Sequence, residues 1–157
     1  VRRPLVSGST LAGVVAVART RTRGPGGRHG VATVASTSNG WIRTARLFAP
    51  AVQDGVSRTN LTVVVPENDP GIRAEVRLRL FDAEGRVAAK KDLDLRTSEW
   101  TQLSSIFSSL APGLTEGWIH VGSGSPAAPV VSYATVNDGA EPGQGSGDGA
   151  VFLGASR

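Results

Sequence analysis

Chemistry at neutral pH usually needs a general base, and this sequence offers two histidines, His29 and His120. His29 falls in "GPGGRHG", a glycine-rich turn, and reads as solvated. His120 alternates with Trp118 and Gly122 in "GWIHVGSG" and reads as a surface or interface residue of a strand. Neither is followed by an acid at a fixed spacing, and no G-x-S-x-G elbow or H-E-x-x-H pair occurs. There is no cysteine, which removes disulfides, thiolate metal sites and cysteine nucleophiles together. Asp92 and Asp94 share a strand face roughly 7 Å apart. A glycosidase pair would also need an aromatic-lined cleft, and four Phe, three Trp and one Tyr leave little to line one. The expectation is a protein that is not an enzyme.

Binding chemistry has more candidates. Residues 1–60 carry nine arginines against one acid, Asp54, a net of +8, whereas residues 61–157 carry eight basic and twelve acidic side chains, a net of −4. Clustered guanidinium groups attract phosphate or acidic sugar, so Arg19, Arg21, Arg23, Arg28, Arg43 and Arg46 form a candidate polyanion site for acidic polysaccharide or nucleic acid. The same segment could instead dock on the acidic remainder of the chain or on a neighbouring copy. Asp138, Glu141 and Asp148 lie among glycines in "DGAEPGQGSGDG", where a calcium ion is conceivable because hard cations want several oxygens on a flexible loop. The loop lacks the dense acidic spacing of an EF-hand, so a connector without a cofactor is expected. Trp41, Trp100 and Trp118 would make a sugar-stacking platform if exposed together, but each is expected to fill or cap the core. "NLT" at Asn60 fits a glycosylation sequon and carries little weight alone.

The elements that must position these groups read as strands. At 157 residues the chain suits one domain, and its core must come from Val, Leu, Ile and Ala, which favour sheet where β-branched. In "IRAEVRLRLFDAEGRV" (Ile72 to Val87), Ile72, Ala74, Val76, Leu78 and Leu80 alternate with Arg73, Glu75, Arg77 and Arg79, the pattern of a half-buried strand. "DAEG" is a hairpin turn with Gly85 at a positive φ. "RVAAKKDLDL" returns with Val87, Ala89, Leu93 and Leu95 on one side and Lys91 the single mismatch in that parity, which a bulge near Lys90 and Lys91 or an edge position would explain. Arg77 and Arg79 are expected to pair across this hairpin with Asp92 or Asp94. "SSIFSSLAPG" predicts one or two helical turns opened by Ser104 or Ser105 and closed by Pro112 and Gly113. The fold expected is all-β: a two-layer antiparallel β-sandwich, Ig-like, of about nine strands with one short helix near 104–110. Residues 1–48 would be N-terminal basic strands and 49–157 the sandwich module.

Two segments echo each other. "GVVAVARTRTRGPGGRHGVATVAS" (Gly13 to Ser36) and "PVVSYATVNDGAEPGQGSGDGAVFLGAS" (Pro129 to Ser156) both read as a Val-Val-led strand, a glycine-rich loop, a short apolar strand and Ala-Ser. The offset is 116 at Val14 and Val130 and 120 at Ser36 and Ser156. Either valine-rich strands match by chance, or the first segment is the tail of a preceding module in a tandem array.

"SRTNLTVVVPENDPGIRAEVRLRLFDAEGRV", "WTQLSSIFSSL" and "PVVSYATVND" together resemble a β-sandwich module that recurs in secreted and surface-attached bacterial proteins, often in tandem. The resemblance covers roughly Ser57 to Asp138; the acidic "PENDP" loop and the long glycine-rich loop depart from the pattern. It implies an extracellular or cell-surface, non-catalytic accessory, spacer or adhesive role with no catalytic residues to carry over. Partners would be other copies of the protein or neighbouring modules of a longer chain, with acidic polysaccharide as the alternative. Residue 1 is Val and methionine is absent, so a processed product or a fragment is expected; no apolar run reaches the roughly 20 residues that span a bilayer.

Overall fold

The computed structural model describes residues 17–24, 27–34, 46–52, 54, 56–66, 71–124, 128–138, 149–153 and 155–156, with side chains described in 54, 56–66, 71–124 and 128–138. Among them the order is β1 (Val17–Gly24), β2 (Gly27–Val34), β3 (Arg46–Val52), β4 (Ser57–Val64), β5 (Arg73–Phe81), β6 (Val87–Arg96), β7 (Trp100–Leu103), α1 (Ile106–Leu110), β8 (Glu116–Ser123), β9 (Val131–Asp138), β10 (Gly149–Leu153) and β11 (Ala155–Ser156). A five-stranded sheet runs β11-β3-β8-β5-β6 and a four-stranded sheet runs β10-β9-β4-β7, every pairing antiparallel. β1 and β2 pair only with each other, and β2 lies against β10. The all-β expectation with a short helix therefore holds.

Alternation builds the core. Ala74, Val76, Leu78 and Leu80 of β5 are buried while Arg73, Glu75 and Arg77 between them are exposed. Leu61, Val63 and Val65 from β4 and its end, Ile119 and Val121 from β8, and Val130 and Ala134 from around β9 complete the same cluster. Sheet packing of this kind draws on burial worth roughly 1.5–3 kcal/mol for each Val, Leu or Ile side chain. Helix α1 closes one side with Ile106 and Phe107, both fully buried, lying against β4 and β6.

The helix is held by a residue distant in sequence. Ser105 occupies the N-cap position, as expected, but its backbone is left-handed (φ 47, ψ 57) and its side chain makes no capping bond. Its backbone N–H donates to Asn60 Oδ1 on β4 at 2.9 Å. The strand's side chain thus ties down the amide at the start of the helix, from the outward side of β4. Past the helix, Ala111 N–H bonds to Phe107 O at 2.7 Å, and Gly113 adopts a φ of 91 that a side chain would oppose.

The hairpin turn forms as the sequence predicts, with Gly85 at φ 81. Asp82 organises it: Oδ1 accepts from Arg86 N–H at 2.8 Å and Oδ2 from Arg86 Nε at 2.7 Å. Partial burial opposes ionisation of this carboxyl, and the hydrogen bonds from Arg86 override it, so its pKa falls below the ordinary aspartate value. Leaving the turn, the register steps between Leu80 and Phe81, which face Ala89 and Val87, so Ala88 is the extra residue of a bulge. The bulge lies closer to the turn than the lysines, where the sequence had placed it. It moves Val87 to the outer face, where it is 45% exposed, instead of onto the core side with Ala89. Lys91 remains on the core-facing side opposite Leu78, at the open edge of the sheet. An inward-pointing lysine beside a bulge is a device that keeps an edge strand from pairing with other chains.

Candidate ligand-binding face

The two sheets turn very different outer faces to solvent. On the four-stranded sheet the outward positions are Asn60, Thr62 and Val64 of β4, Trp100 and Gln102 of β7, and Val131, Tyr133 and Thr135 of β9, with Arg58 at one end. On the five-stranded sheet they are Arg73, Glu75, Arg77 and Arg79 of β5 and Lys90, Asp92, Asp94 and Arg96 of β6, eight charged groups facing one another in pairs.

Registers set who meets whom on the charged face. Glu75 is opposite Asp94, Arg77 opposite Asp92, and Arg79 opposite Lys90. Continuing across β5 to β8, Arg77 faces Gly122, Arg79 faces His120 and Phe81 faces Trp118. From β8 to β3, Gly122 faces Arg46 and His120 faces Phe48. Two adjacent rows therefore read Arg46–Gly122–Arg77–Asp92 and Phe48–His120–Arg79–Lys90. Arg79 and Lys90 are like charges directly opposite, an arrangement that destabilises a sheet. Among the described residues neither has a carboxylate partner.

The cross-strand pairs expected of Arg77 and Arg79 with Asp92 or Asp94 do not form. Asp94 is held by Arg73, whose Nε lies 2.8 Å from Oδ1 and Nη2 2.6 Å from Oδ2, a two-pronged contact. That hydrogen bond, more than the neighbouring charges, lowers the Asp94 pKa and raises that of Arg73. Arg77 reaches Glu75 on its own strand at 3.4 Å, although Asp92 is its register partner. Both contacts are exposed, and such pairs contribute about 0–1 kcal/mol. Glu75, Arg77, Asp92, Leu93 and Asp94 line a groove of about 330 Å³ beside the Arg79–Lys90 row.

His120, expected as a surface or interface residue, lies on the outer side of β8 but is only 6% exposed. Its ring packs edge-on against Phe81, centroids 6.4 Å apart, and its Cε1 lies 3.6 Å from where a side chain on Gly122 would begin. Phe81 stacks on Trp118 with centroids 4.2 Å apart and planes 12° from parallel. Trp118 therefore stacks on the outer face and does not fill the core, and Trp100 is 65% exposed on the edge strand of the other sheet, so neither takes the core position expected of it. With Trp100 and Trp118 on different sheets, and Trp41 outside the described residues, these two build no common stacking platform.

Of the arginine candidates, Arg19, Arg21 and Arg23 occupy alternate positions of β1, and Arg28 of β2 is the register partner of Arg23. Arg46 opens β3 in the five-stranded sheet, and Arg43 lies outside the described residues. Asp138 ends β9 opposite Ser57, while Glu141 and Asp148 lie outside the described residues, as does His29's side chain. Among the described residues no group of three His, Asp or Glu side chains is arranged to hold a metal ion. No helix among them is long and apolar enough to cross a membrane.

Fold and site together define an all-β protein of two antiparallel sheets with one charged outer face. The chain matches no known family profile, no curated protein and no solved structure.

Proposed function

We propose that this chain is a non-catalytic structural or interaction module of the extracellular space or cell surface, an Ig-like sandwich that spaces, displays or assembles. The observation that carries the reading is the β1–β2 hairpin. It pairs with neither larger sheet, lies against β10, and repeats the sequence pattern of the β9–β10 hairpin. A hairpin with the pattern of a module's closing strands, set beside that module's edge, is suited to joining one copy to the next by strand addition or tandem linkage. Deleting residues 1–36 and measuring mass by light scattering tests this: the reading expects assembly in the full chain to be lost, and an oligomeric state that the deletion leaves unchanged sinks it.

A second reading, polyanion binding, is favoured by the alternate Arg19, Arg21 and Arg23 on one strand and Arg28 opposite Arg23. Binding through these side chains would weaken steeply with salt. Release from a heparin column at low ionic strength would dispose of it.

A further inference from the structure

We propose that the outer face of the five-stranded sheet binds an acidic oligosaccharide, with Arg79 and Lys90 holding the sugar's carboxylate or sulfate while Glu75 and Asp92 accept hydrogen bonds from its hydroxyls. The inference rests on the polyanion reading but moves the site away from the β1–β2 hairpin. Arg79 and Lys90 face each other across a ladder, with Cα atoms about 4.5–5.5 Å apart. No carboxylate among the described residues neutralises either one. An anion lying over the pair would relieve their repulsion and gain two charge-assisted contacts at once. Arg77, in contact with Glu75, lies beside the pair, and Gly122 next to it presents no side chain, which leaves a floor between Arg77 and the register position of Arg46.

The neighbouring groove selects the class of anion. Its walls carry three carboxylates, Glu75, Asp92 and Asp94, with Arg77 among them. A carboxylate accepts hydrogen bonds and repels phosphate. A DNA strand tracking along this face would meet those acids with few donors to offer. A uronate or sulfated sugar carries its anion and several hydroxyl donors on one ring, so it satisfies both the cationic row and the acidic groove. The aromatic row of Phe81 and Trp118 lies next to the cations, its rings engaged with each other.

The test titrates the full chain with polygalacturonate, heparin and single-stranded DNA at low and at physiological salt. Polygalacturonate or heparin should bind, and the double variant Arg79→Gln/Lys90→Gln should lose about tenfold or more in affinity with a salt slope reduced by about two. Lys90→Glu, which places an acid opposite Arg79, should abolish binding without lowering the melting temperature, separating lost contacts from lost fold. Asp92→Asn should weaken the glycan and strengthen the DNA. Preference for DNA over both glycans overturns the assignment of the ligand. Binding that survives Lys90→Glu but disappears in Arg19→Gln/Arg21→Gln/Arg23→Gln overturns this site and leaves the hairpin reading standing. Absence of binding to all three probes ends both.

Discussion

Replacing Asn60 with alanine tests how the strand-and-helix side of the molecule is held. Asn60 sits on β4 between the core residues Thr59 and Leu61, and its Oδ1 accepts from Ser105 N–H at 2.9 Å. Alanine removes the acceptor and leaves a half-buried amide whose residue is already left-handed at φ 47. A hydrogen bond of this kind contributes about 0.5–1.5 kcal/mol, and an amide left without its partner costs about 1–3 kcal/mol when water cannot reach it. Partial exposure of the site places the expected loss near 1–2 kcal/mol. For a chain of this size that is a fall in melting temperature of about 2–8 °C.

The assay is thermal and urea denaturation of three variants side by side. Asn60→Asp keeps an oxygen acceptor and should retain most of the stability that Asn60→Ala loses. Ser105→Gly keeps the amide and removes the side chain that disfavours the left-handed backbone, so it should match the wild type or exceed it. Gln102→Ala, exposed on β7, is the control and should stay within about 0.5 kcal/mol. If Asn60→Ala and Asn60→Asp lose the same amount, or if Asn60→Ala behaves like the Gln102 control, the Asn60–Ser105 contact does not hold α1 and the reasoning fails.

Gly117 predicts a second outcome: a Cβ there would collide with the carbonyl oxygen of Phe81, so Gly117→Ala should force β5 and β8 apart and change the near-ultraviolet circular dichroism of the Phe81–Trp118 stack. A native near-ultraviolet spectrum would refute the close approach. Acid should act through Asp82 and Asp94, whose folded pKa values are lowered by hydrogen bonds from Arg86 and Arg73, against partial desolvation at Asp82. Below the ordinary aspartate pKa of about 3.9 the unfolded chain binds protons that the folded chain still refuses, so their contribution is present above that pH and is lost as pH falls through the lower folded values. Urea midpoints should therefore decline on that limb, and Asp82→Asn/Asp94→Asn should flatten the decline; an acid limb identical to that of wild type counts against the two contacts.

The all-β class was legible because alternation is local. Ala74, Val76, Leu78 and Leu80 declare one face of β5 by composition alone, and Gly85 declares the turn. What alternation cannot supply is the pairing across the turn. Phe81 faces Val87, and carrying that register onward would set Arg79 against Ala89 and Arg77 against Lys91. The single extra residue, Ala88, shifts every later pair, sets Arg79 against Lys90 and Arg77 against Asp92, and turns a row of solvated charges into one with an unneutralised cationic pair. The bulge takes Val87 out of the core-side parity of Ala89, Leu93 and Leu95, whereas Lys91 keeps that parity, so the lysine marks the open edge and not the bulge. The burial of His120 was illegible for a related reason. Its strand alternation puts it on an outer face correctly, but burial there depends on Phe81, which comes from β5, some forty positions earlier in the chain. Asn60 gave no signal beyond its place in "RTNL", because its partner is the backbone of Ser105, whose left-handed turn no propensity of serine announces. The candidate site is thus built from residues whose types are plain in the sequence and whose neighbours are decided by a one-residue irregularity. A variant deleting Ala88 would join Val87 directly to Ala89 and straighten the ladder with Leu80 still opposite Ala89 and Arg79 still opposite Lys90, so it should remove the bulge and leave the proposed anion site in place.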